Sequence, residues 1–313
     1  MAPDLSDRRR IPEDAALVRW LAPDGWDYRR LDRRRPPGAA VRGSLLFAGG
    51  RGDFIEKYLE VQNHWFGRGW NVATFDWRGQ GASRGSAEGG RLDSFDTLVD
   101  DLDALLSDWQ AHSPGPHVAV GHSMGGHVLL RTLAERRPRL DAAVLVAPML
   151  AINSGPLPPF AAASTAAMMT LFGWGRHPAW SQPAEPPTGG SIRQDILTGC
   201  KERYADELWW WEREPGYSLP APSWAWLKAA YASCDKLTPA ALRRVECPVL
   251  LVGTERDRLV SPSAIRRAAS DLPRSELLMF EDAGHEILRE ADPVRLEALA
   301  AIDGFLDRHA AGR

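Results

Sequence analysis

Residues 117–130 read HVAVGHSMGGHVLL, and within them Ser123 sits between an apolar run and a helical pattern, with Gly121 and Gly125 two residues to either side. This spacing fits a sharp turn from strand to helix, which forces the serine into a strained backbone conformation and lifts its hydroxyl clear of the strand. The neighbours at minus two and plus two then come so close that side chains would collide, hence the glycines. The helix that follows aims its first N–H groups at the space beside the hydroxyl, where an oxyanion could be held. A hydroxyl attacks a carbonyl only with help from a base, and the base in turn needs a carboxylate to orient it and to balance its charge.

Where such a turn carries a nucleophile, the acid and then the histidine follow in chain order. Two later loops qualify, each just beyond an apolar run. LLVGTERDRLV places Asp257 after residues 248–253, and LLMFEDAGHEIL places His285 after 275–281. Glu255 and Asp282 compete for the acid's role, Asp282 reading better as a turn-former in the histidine's own loop. Of the other histidines, His122 and His127 lie on the turn and its helix and are expected to face elsewhere. His112 and His117 flank the SPGP turn, and His64, His177 and His309 read as surface or packing residues. The oxyanion needs two N–H donors. Met124 supplies the first; the glycine-rich AGGRGDF loop supplies the second, with Arg51 preferred and Gly50 its neighbour and rival, since glycine lets backbone approach a ligand closely.

The elements that must position these residues can be read from periodicity. The runs 43–49, 71–76, 117–121, 142–148, 248–253 and 275–281 are continuously apolar, as strands covered on both faces require. Phe95, Leu98, Val99, Leu102, Leu105, Leu106 and Trp109 share one helical face, with Asp93 or Ser94 available as cap. Further helices are expected at 124–137, stopped by Pro138, at 262–271 and at 293–308. Alternation of this kind makes βαβ units and a mainly parallel sheet. Asp24-Gly25 between two strand-like runs predicts a hairpin at the sheet's edge.

The alternation breaks after Pro148 and resumes at Pro248. The interval holds seven of the thirteen tryptophans, helical patterns and a proline-dense linker around 178–187. It predicts a helical, tryptophan-rich lid at 149–245 inserted into a core of 1–148 and 246–313. Its aromatics, with Met168 and Met169, suit an apolar tunnel for an acyl group; Phe172, Trp174 and Trp209 are the candidates for touching substrate, together with Gly50. The alanine-rich stretch 160–175 is a candidate for transient contact with lipid, although it lacks the lysine-rich face of an interfacial helix.

The whole chain bounds the reading. Its 313 residues suffice for one large α/β domain with an insertion. A net charge of −3 gives no reason to expect nucleic acid. The three cysteines, Cys200, Cys234 and Cys247, contain no C-x-x-C and fit neither a disulfide framework nor a metal site, so a reducing cytoplasm is expected. No apolar stretch follows the N-terminal arginines, so no secretory signal is read, and no segment reaches the ~18–20 apolar residues of a membrane span.

With these residues in hand, the sequence resembles the monoacylglycerol lipase and lysophospholipase branch of the α/β-hydrolases, often grouped with serine aminopeptidases. GHSMGG, FDWRGQGAS at 75–83, GGRGDFIEKY at 49–58, GTERDRLV and AGHEIL carry the resemblance, in the branch's order. Eukaryotic lipases of the branch open the oxyanion loop with His-Gly, where this chain has Gly49-Gly50. The resemblance implies an α/β-hydrolase fold and a Ser123–His285–Asp257 triad that cleaves carboxylic esters of small molecules or lipids without metal or organic cofactor. It implies that Arg78 and its neighbours hold their loop. An aminopeptidase or amidase would use the same triad but needs acidic residues in the lid for a free amine, and Glu202, Asp206 and Glu207 are available. Dehalogenases and epoxide hydrolases of this fold attack with aspartate, against which Ser123 argues. A non-catalytic binding protein would be expected to have lost a triad member.

Overall fold

In the computed structural model, which describes residues 6–85, 90–181, 185 and 190–311, the apolar runs form the centre of an eight-stranded sheet. The strands are β1 (Ala15–Leu21), β2 (Asp27–Arg33), β3 (Gly43–Ala48), β4 (Trp70–Phe75), β5 (His117–His122), β6 (Ala142–Val146), β7 (Val249–Thr254) and β8 (Ser275–Phe280). Their order is β1-β2-β4-β3-β5-β6-β7-β8. β1 and β2 form the expected edge hairpin and pair antiparallel, while every pairing from β4 through β8 is parallel. Parallel strands put all their carboxyl ends on one edge, the place where an open α/β sheet binds ligands.

Alternate residues of the apolar strands enter two separate cores. Leu46, Ala119, Ala143, Leu145 and Leu251 pack on one face with the helices Asp96–Ala111, Met124–Glu135 and Pro262–Asp271. Leu45, Phe47, Val120, Val144, Val146 and Val252 pack on the other with Leu59–Gly67 and Asp292–His309. Burial on both faces removes the polar residues that a half-exposed strand would show at every second position. Ser94, rather than Asp93, caps the helix Asp96–Ala111, its Oγ accepting the Asp96 N–H at 3.1 Å. The helix after Ser123 ends at Glu135, ahead of Pro138. Arg136 and Arg137 both donate to the Thr132 carbonyl, and Arg137 turns left-handed at φ 55°.

Between β6 and β7 the chain forms helices Pro159–Met169, Ile192–Leu197, Lys201–Arg213, Trp224–Cys234 and Pro239–Leu242, with no sheet strand among the described residues. The alanine-rich helix continues into a π-type turn, Thr170–Trp174, that Gly173 closes at φ 88°. Part of the proline-dense linker, 182–184 and 186–189, lies outside the described residues.

Candidate active site

Ser123 stands at the carboxyl end of β5 with φ 51° and ψ −115°, a left-handed conformation that an L-residue holds only under the constraint of its surroundings. The flanking glycines relieve the crowding this turn creates. A Cβ on Gly121 would lie 2.7 Å from the Gly126 Cα, and one on Gly125 2.3 Å from the carbonyl oxygens of Ala48 and Gly49. The second contact locks the helix that follows Ser123 against the end of β3, where the glycine-rich loop begins.

The loops after β7 and β8 bring Asp257 and His285 to the same place. His285 Nε2 lies 2.8 Å from Ser123 Oγ and His285 Nδ1 lies 2.7 Å from Asp257 Oδ2. The other carboxylate oxygen of Asp257 accepts the Leu259 and Val260 N–H groups at 2.8 and 2.9 Å. Asp257 and His285 are both buried. Burial opposes a charge on the imidazole, but Asp257, Glu286 and Asp53 outweigh it and hold the His285 pKa above the ordinary value. Burial would also raise Asp257, and here His285 and the two backbone donors overcome it, so its pKa is lowered. Both shifts favour the ion pair that forms when the histidine takes a proton. The rival acids are exposed and engaged elsewhere, Asp282 with Arg256 and Glu255 with Arg266.

The loop after β3 lies directly over the serine, since a Cβ on Gly50 would be 3.0 Å from Ser123 Cβ. The Gly50 N–H donates to Asp53 Oδ2 at 2.5 Å, which takes it out of the competition to hold an oxyanion. The N–H groups of Met124 and Arg51 donate to no acceptor among the described residues.

His122 departs from expectation. Its ring packs at a tilt against that of His285, with centroids 5.1 Å apart, and its Nδ1 is 3.0 Å from both Asp53 Oδ2 and Tyr58 OH. It belongs to a buried ionic network that sequence reasoning missed. Lys57 Nζ contacts Asp53 Oδ1 at 2.8 Å, Glu286 Oε1 at 2.6 Å and Glu207 Oε2 at 3.3 Å. Glu207 also pairs with Arg193 and Arg289, and Glu286 with Arg289. Three carboxylates thus face three cations beside the His285 loop. Burial disfavours every charge in the group, yet Arg193, Lys57 and Arg289 bring the Glu207 pKa down to about 2. Likewise Asp53, Glu207 and Glu286 keep Lys57 above its ordinary value despite burial. The sequence signals were the pairs Asp53 and Lys57 at a spacing of four and Glu286 and Arg289 at a spacing of three, which solvated turns show equally well.

Glu207 and Arg193 belong to the inserted helices, so the insertion braces the site. The carbonyls of Ile196 and Leu197 accept the N–H groups of His285 and Glu286 at 3.2 and 2.7 Å. At its other end, Asn153 N–H donates to the Leu259 carbonyl at 2.9 Å and Ile152 bridges to Val260, beside Asp257. Neither contact has a periodicity by which it could be read.

Within the insertion lies a cavity of about 780 Å³ with walls that include Met169, Trp174, Trp180, Trp211, Leu219 and Trp224. Ser123 does not line it; the cavity approaches the oxyanion loop through Pro220, whose carbonyl accepts from Arg51 Nη2 at 2.8 Å. Of the aromatic residues expected to touch substrate, Trp174 lines the cavity. Phe172 points to solvent, and Trp209 is stacked between the guanidinium groups of Arg9 and Arg213. Trp211 and Trp224 take the wall positions instead. The remaining histidines act structurally: His127 meets Ser233, His64 meets Asp303, His117 meets Ser113, His112 the Asp108 carbonyl and His309 Glu276, while His177 stacks on Trp174. The FDWRGQGAS loop is held as the resemblance implied. Asp76 accepts from Arg29 and from the Ile55 and Ala82 N–H groups, and Arg78 pairs with Asp101 and Asp24. No group of metal-ligating residues occurs among the described residues, and none of their helices is long and apolar enough to cross a membrane.

The chain is 27% identical to the probable lysophospholipase L2 of Haemophilus influenzae over 286 residues, 90% of this chain and 88% of that one. It is 29% identical to lysophospholipase L2 of Escherichia coli strain K12 over 284 residues, covering 85% and 80%. Its fold superimposes with a TM-score of 0.72 on a soluble variant of the monoglyceride lipase of Saccharomyces cerevisiae, at 19% identity over 94% of this chain and 96% of that one. The family described as Hydrolase_4, serine aminopeptidase S33, matches residues 39–292. The chain therefore belongs to this family and is a serine-dependent hydrolase of the α/β-hydrolase superfamily.

Proposed function

We propose that the protein cleaves carboxylic esters with an apolar acyl group, of monoacylglycerol or lysophospholipid type, through an acyl-enzyme on Ser123. The observation that carries this reading is the unbroken hydrogen-bonded series Ser123–His285–Asp257, at 2.8 and 2.7 Å, beside a loop with a free N–H. Ser123 Oγ attacks the ester carbonyl as His285 Nε2 takes its proton, and Asp257 holds the resulting imidazolium. The Met124 and Arg51 N–H groups receive the oxyanion; each such donor contributes ~3 kcal/mol to transition-state stabilisation. His285 then gives its proton to the departing alcohol. Water enters by the same route; its oxygen attacks the acyl carbonyl as His285 Nε2 takes its proton, and the bond to Ser123 Oγ then breaks, His285 returning the proton to Oγ as the acid leaves.

Residues 149–245 serve as the lid of this enzyme. The apolar walls of its cavity suit an acyl chain. Phe160, Leu171 and Phe172 stand 75%, 82% and 73% exposed along its first helix and turn, and they form the face that meets a micelle or bilayer holding the substrate. An aminopeptidase reading is disfavoured by the acidic residues it would need. Glu207 is spent on Arg193, Lys57 and Arg289, and Asp206 on Arg8 and Arg9; Glu202 stands on the surface, and Glu185, in the cavity wall, accepts from the Tyr204 hydroxyl at 2.6 Å. Hydrolysis rates on p-nitrophenyl esters from acetyl to palmitoyl, set beside aminoacyl p-nitroanilides, test the proposal. Turnover that prefers medium or long acyl esters supports it; faster turnover of the anilides overturns it.

A further inference from the structure

Arg51 differs from most of the enclosed arginines: with Arg35 and Arg84 it lacks a carboxylate partner among the described residues, and of these three it alone follows the glycine that abuts Ser123. Arg29, Arg78, Arg131, Arg193, Arg203 and Arg289 are each paired with at least one carboxylate. The half-buried Arg51 has no such partner among the described residues. Its Nη2 donates to the Pro220 carbonyl, its guanidinium lies 5.3 Å from the centre of the Trp226 ring, and its Nε is enclosed with no acceptor at all. Burial, with no opposing charge, pulls its pKa down to about 10. A neutral carbonyl and an aromatic face offset only part of the cost of enclosing a cation, which is ordinarily met by an anion.

The location supplies the anion's identity. Residue 51 follows Gly50, which abuts Ser123, and in the proposed mechanism its N–H holds the ester carbonyl. Its side chain runs toward Pro220, a wall of the lid cavity. A group bound by this guanidinium therefore belongs to the molecule whose carbonyl is being attacked. An aliphatic acyl chain has nothing to offer a guanidinium, so the partner must lie on the alcohol portion. A phosphodiester on the same glycerol matches the planar, forked donors of arginine. Resting on the ester-hydrolase reading above, we propose that the Arg51 side chain binds the phosphate of a lysophospholipid substrate and thereby selects phospholipid over neutral monoacylglycerol.

The test compares kcat/KM for 1-decanoyl-glycerophosphoglycerol and 1-monodecanoylglycerol, both below their micellar concentrations, in wild type, Arg51→Gln and Arg51→Lys. A charge-assisted hydrogen bond of this kind corresponds to a roughly 10- to 100-fold change in binding. The ratio of phospholipid to neutral substrate should fall by that factor in Arg51→Gln, largely through KM, and should be partly restored in Arg51→Lys. Glycerol 3-phosphate should inhibit monodecanoylglycerol hydrolysis by the wild type and lose that effect in Arg51→Gln. An equal loss on both substrates would mean that only the loop around the oxyanion had been disturbed, and an unchanged ratio would mean that the side chain reads no phosphate. Either overturns the proposal. If wild type cleaves neither substrate, the ester-hydrolase reading itself has failed.

Discussion

Replacing Lys57 with methionine should destabilise the protein far more than a single surface charge would. The Lys57 ammonium is enclosed, its side chain 2% exposed, and it contacts Asp53, Glu286 and Glu207 within 3.3 Å. Methionine fills the space and leaves Glu207 and Glu286 with Arg193 and Arg289, and Asp53 with only His122 and the Gly50 N–H. Breaking a buried ionic group by removing one partner costs about 3–5 kcal/mol. At ~2 °C per kcal/mol for a chain of this size, the thermal midpoint at pH 7.5 should fall by about 6–10 °C. The pH dependence carries a sign. Asp53 and Glu286 have lowered pKa values in the wild type, so they contribute stability that is present above the unfolded carboxylate pKa and is lost as pH falls through the folded one. Without Lys57, burial takes over and raises them, so the variant's carboxylates take up protons on folding. The gap between variant and wild type should then narrow as pH falls from 7.5 to 5. Adding Glu207→Gln to the variant removes the excess charge and should recover ~1–3 kcal/mol, measured as a double-mutant cycle by thermal melting. A midpoint within 2 °C of wild type, or a gap indifferent to both pH and Glu207, would refute the picture of a charge-balanced brace between lid and core.

Three other perturbations have defined outcomes. Asp257→Asn should lower kcat by about 10⁴-fold, as loss of the orienting carboxylate does in such triads. Because Asp257 keeps the His285 pKa above the ordinary 6.5 against burial, wild-type activity should be lost as pH falls through a midpoint that lies above 6.5, and the variant's acid limb should shift lower. An unmoved limb contradicts this. Gly125→Ala drives a methyl toward two backbone oxygens at 2.3 Å and displaces the oxyanion loop; kcat should drop roughly 100-fold, the cost of a lost oxyanion donor, and wild-type kinetics would show the contact to be soft. Phe160→Ser with Leu171→Ser removes two exposed apolar side chains outside the cavity. Activity on micellar monoacylglycerol should fall about tenfold while hydrolysis of soluble p-nitrophenyl acetate stays level, and an equal fall on both would discard lipid contact.

The sheet was legible because burial on both faces leaves uninterrupted apolar runs, and the edge hairpin because Asp24-Gly25 marks its turn. The strand-to-helix turn at Ser123 was legible because backbone crowding there admits only glycine at 121 and 125, a constraint that shows in the letters themselves. Asp257 and His285 could be singled out by their positions just past late strands. The ionic network could not. Lys57, Glu207 and Glu286 lie far apart in sequence, and each reads as an ordinary solvated charge until the fold encloses it. Trp209 misled for a related reason. In a run of three tryptophans, only the helix's rotation decides that Trp211 faces the cavity while Trp209 stacks between arginines. His122 reads as facing elsewhere because it lies on the turn itself, yet its ring packs 5.1 Å from that of His285.

The account stands on Ser123 as the nucleophile. The most direct measurement is labelling with a fluorophosphonate, followed by mass spectrometry of the peptides, in wild type and Ser123→Ala. The account predicts one adduct per chain on the peptide carrying Ser123, lost in the variant together with ester hydrolysis. An adduct on another residue, or ester turnover that survives in Ser123→Ala, would contradict it.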